Sequence, residues 1–188
     1  SFDLLANLVE TDARLKVIRL RRNFGQTAAL SAGFDEASGE IIISMDGDLQ
    51  HDPEDIPRLL AKMDEGHEMA VGARTWDTHA SFGRRFANRI YNSLASYMTG
   101  NRIDDLTSGF RAARTRHFKR FLYLLPNGFS YPTTSTMAFF RSGLPVAYVP
   151  IRAKQREGKS HIRLFQDGLR FLMIIVKIGT LFSPMRLF

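Results

Sequence analysis

A chain of 188 residues, 44% hydrophobic and 24% charged, is long enough to bury one core and too ordinary in composition to be disordered. It has no cysteine, which excludes a disulfide framework and a thiolate metal site and fits a reducing compartment. Its 26 Lys+Arg against 19 Asp+Glu leave a formal net charge of +7, which points to anionic partners: nucleic acid, lipid headgroups or phosphorylated small molecules.

Residues 1–10 lack the basic start and long apolar run of a secretory signal. With no initiator Met, and with Met185, Arg186, Leu187 and Phe188 ending in mid-pattern, the sequence is expected to be a piece of a longer protein. The pattern predicts a short strand over residues 16–20 and a helix of small apolar residues over 26–37. Ile41, Ile42 and Ile43 form a β-branched run of the kind found in buried parallel strands. A helix follows, with Asp52 as its cap, Pro53 at the first helical position and Asp55 three residues after the cap. Ile56, Leu59, Leu60 and Met63 give that helix its apolar face, and Pro57 predicts an irregular first turn. Residues 69–72 read as a strand ending in Ala73 and Arg74. Residues 82–98 read as a helix carrying Phe82, Phe86, Ile90, Leu94 and Met98 at intervals of four. Residues 107–113 and 146–150 look extended. Such alternation predicts an α/β layered fold with a mostly parallel sheet, in which ligands sit at the carboxyl ends of strands.

At one such end lie Asp46 and Asp48, separated by Gly47. Carboxylate oxygens suit hard cations such as Mg²⁺ or Mn²⁺, and an ion so held can bridge a diphosphate. A solvated Asp-Gly turn is the plainer reading, and the offsets exclude an EF-hand. Arg84, Arg85 and Arg89 open the helix at 82–98, with Arg85 and Arg89 on one face. Arg156 and Lys159 lie in a glycine-containing loop. Both basic groups suit phosphate binding and both equally suit a solvated surface. None of the five histidines has metal-ligand spacing, although His51 adjoins the acidic pair.

Met45-Asp46-Gly47-Asp48-Leu49-Gln50-His51-Asp52-Pro53-Glu54 resembles the signature of family 2 glycosyltransferases, in their dolichol-phosphate mannosyltransferase-like branch. Arg22-Asn23-Phe24-Gly25-Gln26 followed by Ala32-Gly33, then Gly72-Ala73-Arg74, Asp105-Leu106-Thr107-Ser108-Gly109-Phe110-Arg111 and Arg156-Glu157-Gly158-Lys159-Ser160 resemble four further blocks of that branch, in the same order. The resemblance implies a GT-A type, Rossmann-like domain over residues 1–160, with an amphipathic juxtamembrane segment over 161–188. It implies an inverting transfer of a sugar from a nucleotide-sugar, UDP- or GDP-linked, onto a polyprenyl phosphate. Asp46 and Asp48 would hold the metal, with Asp48 the more direct ligand, and Gln50 would lie near the donor. Arg74, Arg85, Arg156 and Lys159 would surround the acceptor phosphate or donor diphosphate. Asp105, Ser108 and Phe110 would help to form the acceptor site, and Asp48, Asp105 and Arg74 would be the catalytic set. Asp105 would act as a base or orient an arginine.

Two motifs of the family, Pro-x-Tyr-Asn-Glu-like and Asp-Asp-Gly-Ser-like, are not in this sequence, so the resemblance does not distinguish UDP from GDP. A phosphate acceptor, with a second pKa of about 6, is largely deprotonated at neutral pH and needs little help from a base. A hydroxyl acceptor on a polysaccharide, the alternative, would need one. From Ile162 onward Arg163, Asp167, Arg170 and Lys177 form a stripe among Leu164, Phe165, Leu169, Phe171, Leu172 and their neighbours. No apolar run there reaches the roughly 20 residues of a spanning helix, so the segment reads as a helix in the membrane interface, with a core helix as the alternative. The expected location is the cytoplasmic face of a membrane. Nucleic acid is set aside as a partner, because no binding-fold signature or interleaved stacking aromatics accompany the charge. The sequence leaves a homo-oligomer open.

Overall fold

The computed structural model describes residues 2–75, 82–125 and 131–153, together with 172, 173, 176, 177 and 180; for 82–87 it describes the backbone alone. Helix α1 (Phe2–Thr11) and α2 (Gln26–Glu36) precede strand β1 (Ile41–Ser44). A 3₁₀ turn (Pro53–Asp55) leads into α3 (Ile56–Asp64), then β2 (Met69–Arg74), α4 (Phe82–Thr99) and β3 (Arg111–Arg114). Helix α5 (Thr115–Arg120), a second 3₁₀ turn (Leu122–Leu124), α6 (Tyr131–Arg141) and β4 (Val146–Ile151) complete the described elements.

The expected cap forms: the Asp52 carboxylate accepts from the Glu54 amide at 3.2 Å. The irregular first turn expected from Pro57 is the 3₁₀ turn that precedes α3. Residues 16–20 form no strand, because a strand exists only through its ladder partner and these residues have none among the described residues. Of the extended stretch 107–113, only Arg111 onward enters the sheet.

The sheet runs in the order β1-β3-β2-β4 and is mixed, not mostly parallel. Strand β2 pairs in parallel with β4, Met69 opposite Val146, but β3 lies antiparallel to both β1 and β2. The reversal has a geometric origin. The chain leaving α4 returns to the end of the sheet where β1 and β2 finish, and β3 then runs back between them. Ser44 at the end of β1 lies opposite Arg111, and the Gly72 amide donates to the Phe110 carbonyl at 2.9 Å. The loop before β3 is thereby delivered to the carboxyl ends of β1 and β2.

Alternate strand residues face opposite sides, so the two sheet faces build two cores. Ile42, Met69, Val71 and Ala113 pack with Phe34 of α2, Phe118 of α5 and Tyr131 and Phe139 of α6. Ala70, Ala112, Val149 and Ile151 pack with Leu59 and Met63 of α3. A third cluster joins Ala95 and Met98 of α4 to Ile103, Leu106 and Met137. Leu59 is wholly buried. Leu59→Ala is therefore expected to cost about 2–5 kcal/mol, read as a lower urea midpoint without loss of the far-ultraviolet helix signal of the native state.

Candidate functional site

Three neighbouring strands bring charge to one end of the sheet. Asp46 lies two residues beyond β1, Arg74 closes β2, and the loop 105–110 leads into β3. Helix α2 begins beside Asp46: Gly25, at φ 91°, breaks the preceding chain and Gln26 opens the helix. The Gln26 side-chain amide donates to one oxygen of Asp46 at 3.2 Å. On its other side the carboxylate lies against the backbone of Gly109, so closely that a Cβ built there would meet the second Asp46 oxygen at 2.5 Å. Only glycine leaves room for this approach.

Asp48 turns back on its own loop, one oxygen accepting from the Gln50 amide at 3.3 Å. Leu49 between them takes a φ of 60°, a left-handed conformation unusual for a branched apolar residue, and its side chain is exposed. His51 folds under, stacked on Phe110 with ring centroids 5.2 Å apart. Burial depresses its pKa, while Asp46 and Asp48 pull the other way. The His51 ring thus packs beneath the acidic segment. Next to it, a cleft of about 560 Å³ is lined by Asp52, Asp55, Arg58, Thr75 and Arg152.

Arg74 and Asp105 form a two-pronged pair, Nε to Oδ2 at 2.8 Å and Nη2 to Oδ1 at 2.9 Å. The Asp105 carboxylate also accepts from the backbone amides of Arg74 at 3.2 Å and Thr107 at 3.0 Å. Burial alone would raise the Asp105 pKa, but the hydrogen bonds and charge of Arg74 hold it below the ordinary carboxylate value. A carboxylate so fully engaged is a weak proton acceptor and a strong orienting group. Burial would likewise lower the Arg74 pKa, and Asp105 raises it.

The structure brings Asp46, Arg74, Asp105 and Ser108 to one sheet end, with Asp48 and Gln50 on the adjoining loop. Ser108 is 1% exposed, so it lies under the loop surface, and its hydroxyl has no hydrogen-bond partner among the described residues. Phe110 is fully buried in the α3-side core. The backbone at Arg85 is in the first turn of α4, but its side chain, like Arg156 and Lys159, lies outside the described residues. Sequence reasoning missed Asn92 of α4, whose amide donates to the Asp104 carbonyl at 2.7 Å and accepts from the Leu106 amide at 3.1 Å. Gln26 also carries no local signal of its role, although it ends the Arg22-Asn23-Phe24-Gly25-Gln26 block.

Two carboxylates within one turn fit a hexacoordinate oxygen-loving ion that keeps other positions for water and phosphate. No cluster of three or more metal-ligating side chains occurs among the described residues, and such an ion does not require one. Asp46 and Asp48 are the carboxylates here that could hold Mg²⁺ or Mn²⁺.

The model of glycosyl transferase family 2 matches residues 3–123. The chain belongs to that family. It is 44% identical over 105 residues to the undecaprenyl-phosphate 4-deoxy-4-formamido-L-arabinose transferases of Salmonella paratyphi B and Salmonella newport, a match covering 56% of this chain. The chain spans about a third of the length of these curated relatives, 32%. Glucosyl-3-phosphoglycerate synthase from Mycobacterium tuberculosis, solved with phosphoglyceric acid, superposes with a TM-score of 0.64 at 15% identity, covering 91% of this chain and 59% of the other. The same enzyme solved with Mn²⁺, UDP-glucose and phosphoglyceric acid also gives 0.64, at 16% identity and the same coverage. The family 2 domain here therefore has the GT-A fold, with a mixed sheet.

Proposed function

We propose that this family 2 chain is the catalytic core of an inverting glycosyltransferase that moves a sugar from a UDP- or GDP-sugar onto a polyprenyl phosphate. The observation that carries the reading is the meeting of Asp46 with the 105–110 loop, beside an arginine fixed by Asp105. Donor and acceptor are both anions, so the chief task is to align them and offset their repulsion. Asp46 and Asp48 would hold a divalent ion, Mg²⁺ or Mn²⁺, which when bound would neutralise charge on the departing diphosphate. Gln26, at the start of α2, holds Asp46 in place. Gln50 adjoins the donor side.

Arg74 would present its remaining exposed edge to the acceptor phosphate, while Asp105 orients it. An acceptor phosphate attacks without giving up a proton, which matches the engagement of Asp105 and argues against a free base. Arg85, Arg156 and Lys159 are proposed to complete the phosphate-binding face, and Ser108 to support it from below. The relatives' undecaprenyl-phosphate acceptor supports the lipid reading, and the neighbour's Mn²⁺ and UDP-glucose support the donor.

No described helix is long and apolar enough to cross a membrane. Most of 161–188 lies outside the described residues, but Leu172, Met173 and Val176 are helical and exposed. That exposure fits an interfacial helix, which would lie at the cytoplasmic face of a membrane within reach of an acceptor headgroup.

Calorimetric titration of UDP and GDP into the protein with Mn²⁺, with chelator, and into Asp48→Ala tests the donor site. One nucleotide is expected to bind only with metal, and Asp48→Ala to weaken it by about tenfold or more. Equal binding in chelator by folded protein would overturn the assignment of the acidic pair.

A further inference from the structure

Two successive carbonyls of the 105–110 loop are held by side chains from outside it. The Gly109 carbonyl accepts from the Ser44 hydroxyl at 2.8 Å and from the Tyr131 hydroxyl at 2.8 Å, and the two hydroxyls lie 3.1 Å apart. A carbonyl has two acceptor lobes, and both are filled. The Ser108 carbonyl accepts from Nη2 of Arg111. Nη1 of the same guanidinium donates to the Pro132 carbonyl at 3.0 Å, to Ser135 Oγ at 2.7 Å and to Thr136 Oγ1 at 3.1 Å. Ser44 belongs to β1, two residues before Asp46, and Tyr131 opens α6, so β1, the loop and α6 meet at one peptide.

This arrangement is expensive for a core. Arg111 is 1% exposed, and its hydrogen bonds go to neutral acceptors. Ser44, Ser135 and Thr136 are likewise buried. An apolar filling of similar shape would be at least as stable, since the desolvation of a buried charge is not recovered from neutral partners. Burial draws the Arg111 pKa down, yet a guanidinium is basic enough to stay charged. Burial raises the Tyr131 pKa, so its O–H remains a donor. These polar groups converge beneath the 105–110 loop, which touches Asp46.

We infer that Ser44, Tyr131 and Arg111 form a buried clamp on the Ser108 and Gly109 carbonyls that fixes how far the acceptor side of the site stands from Asp46. The three are positioning residues: none touches substrate, and each acts through the loop backbone. The inference rests on the glycosyltransferase reading of the site. Releasing the Gly109 carbonyl would let the loop move by a fraction of an ångström relative to Asp46. Donor binding would survive, because Gln26 still holds Asp46 and a loosened loop presses no new atom against its carboxylate, but the alignment of acceptor with donor would not.

The test is steady-state transfer from the nucleotide-sugar to a short-chain polyprenyl phosphate by wild type, Tyr131→Phe, Ser44→Ala, the double variant and Arg111→Lys. Calorimetry with the nucleotide and Mn²⁺ counts competent donor sites in each. Tyr131→Phe and Ser44→Ala should each lower kcat per donor site by roughly tenfold to a hundredfold, with nucleotide affinity unchanged. The double variant should show coupling rather than a simple product of the two losses. Tyr131→Phe keeps the ring, so it remains informative if Arg111→Lys fails to fold. Variants with a lower melting temperature but wild-type kcat per donor site would reduce the clamp to fold support and overturn it. Absence of metal-dependent nucleotide binding in the wild type would instead remove the glycosyltransferase reading, and the clamp with it.

Discussion

Arg74→Met is expected to lower transfer on the order of 10³-fold and to destabilise the fold by about 2–3 kcal/mol at neutral pH. The activity loss follows from removing the one described guanidinium that Asp105 aims from the strand ends. The stability loss follows from what stays behind, a carboxylate that is 90% shielded and has lost its partner. It falls at or below the low end for breaking a buried pair because the Arg74 side chain is itself 34% exposed against 10% for Asp105. The pH dependence separates this mechanism from a packing defect. In the wild type the folded pKa of Asp105 is depressed, so its contribution is complete above the ordinary value of 3.8 and is lost as pH falls through the folded pKa. In Arg74→Met burial acts without its counterweight and the folded pKa rises. The Asp105 contribution then is present below 3.8 and is lost as pH rises through the new folded value. Urea unfolding at pH 7 and at acid pH should show the gap between variant and wild type narrowing on acidification. A gap independent of pH would show that the pair does not govern the loss.

Gly109→Ala should act almost purely on function. Gly109 does not need a left-handed backbone, so the substitution carries no conformational strain of that kind. The new methyl would instead meet the Asp46 carboxylate at 2.5 Å, and the carboxylate must move. Held on its other side by Gln26, it has little room to do so without leaving the position in which it would face a metal. Metal-dependent nucleotide affinity is expected to fall about tenfold to a hundredfold, with a melting temperature close to that of the wild type. Calorimetry and a thermal melt on the same sample decide it. Unchanged affinity would show that Asp46 is not a metal ligand in the position described.

The residues that carry the site were legible because chemistry concentrates them in short motifs. Asp46, Asp48 and Arg74 each follow or close a strand that an apolar run marked out, and Asp105 stands two residues before a stretch that read as extended. Direction was not legible. A run such as Arg111–Arg114 reads the same whichever way it enters a sheet, and the long connection through α4 allowed either sense. The amphipathic character of α1 lies in the sequence, yet none of its residues is buried and Phe2, Leu4, Leu5 and Leu8 remain exposed. Helix α6 was hidden for the opposite reason. Tyr131-Pro132-Thr133-Thr134-Ser135-Thr136 is poor helix-forming sequence, and it is helical because its hydroxyls and its first turn receive Arg111 and cover the sheet. The roles of Ser44, Gly109 and Tyr131 depend on contacts between residues 22 to 87 positions apart, which no local pattern reveals.

The reversal of β3 also determines how the site fails. With Asp46 just past β1, Arg74 at the end of β2 and the 105–110 loop running straight into β3 between them, these residues hang from neighbouring strands of one ladder rather than from a hinge. A one-residue slip in that ladder would turn every side chain to the other face, so partly correct registers have no intermediate value to the protein. Thermal unfolding is then expected to take Asp46, Arg74 and the 105–110 loop out of register in the same cooperative step as the sheet that carries them.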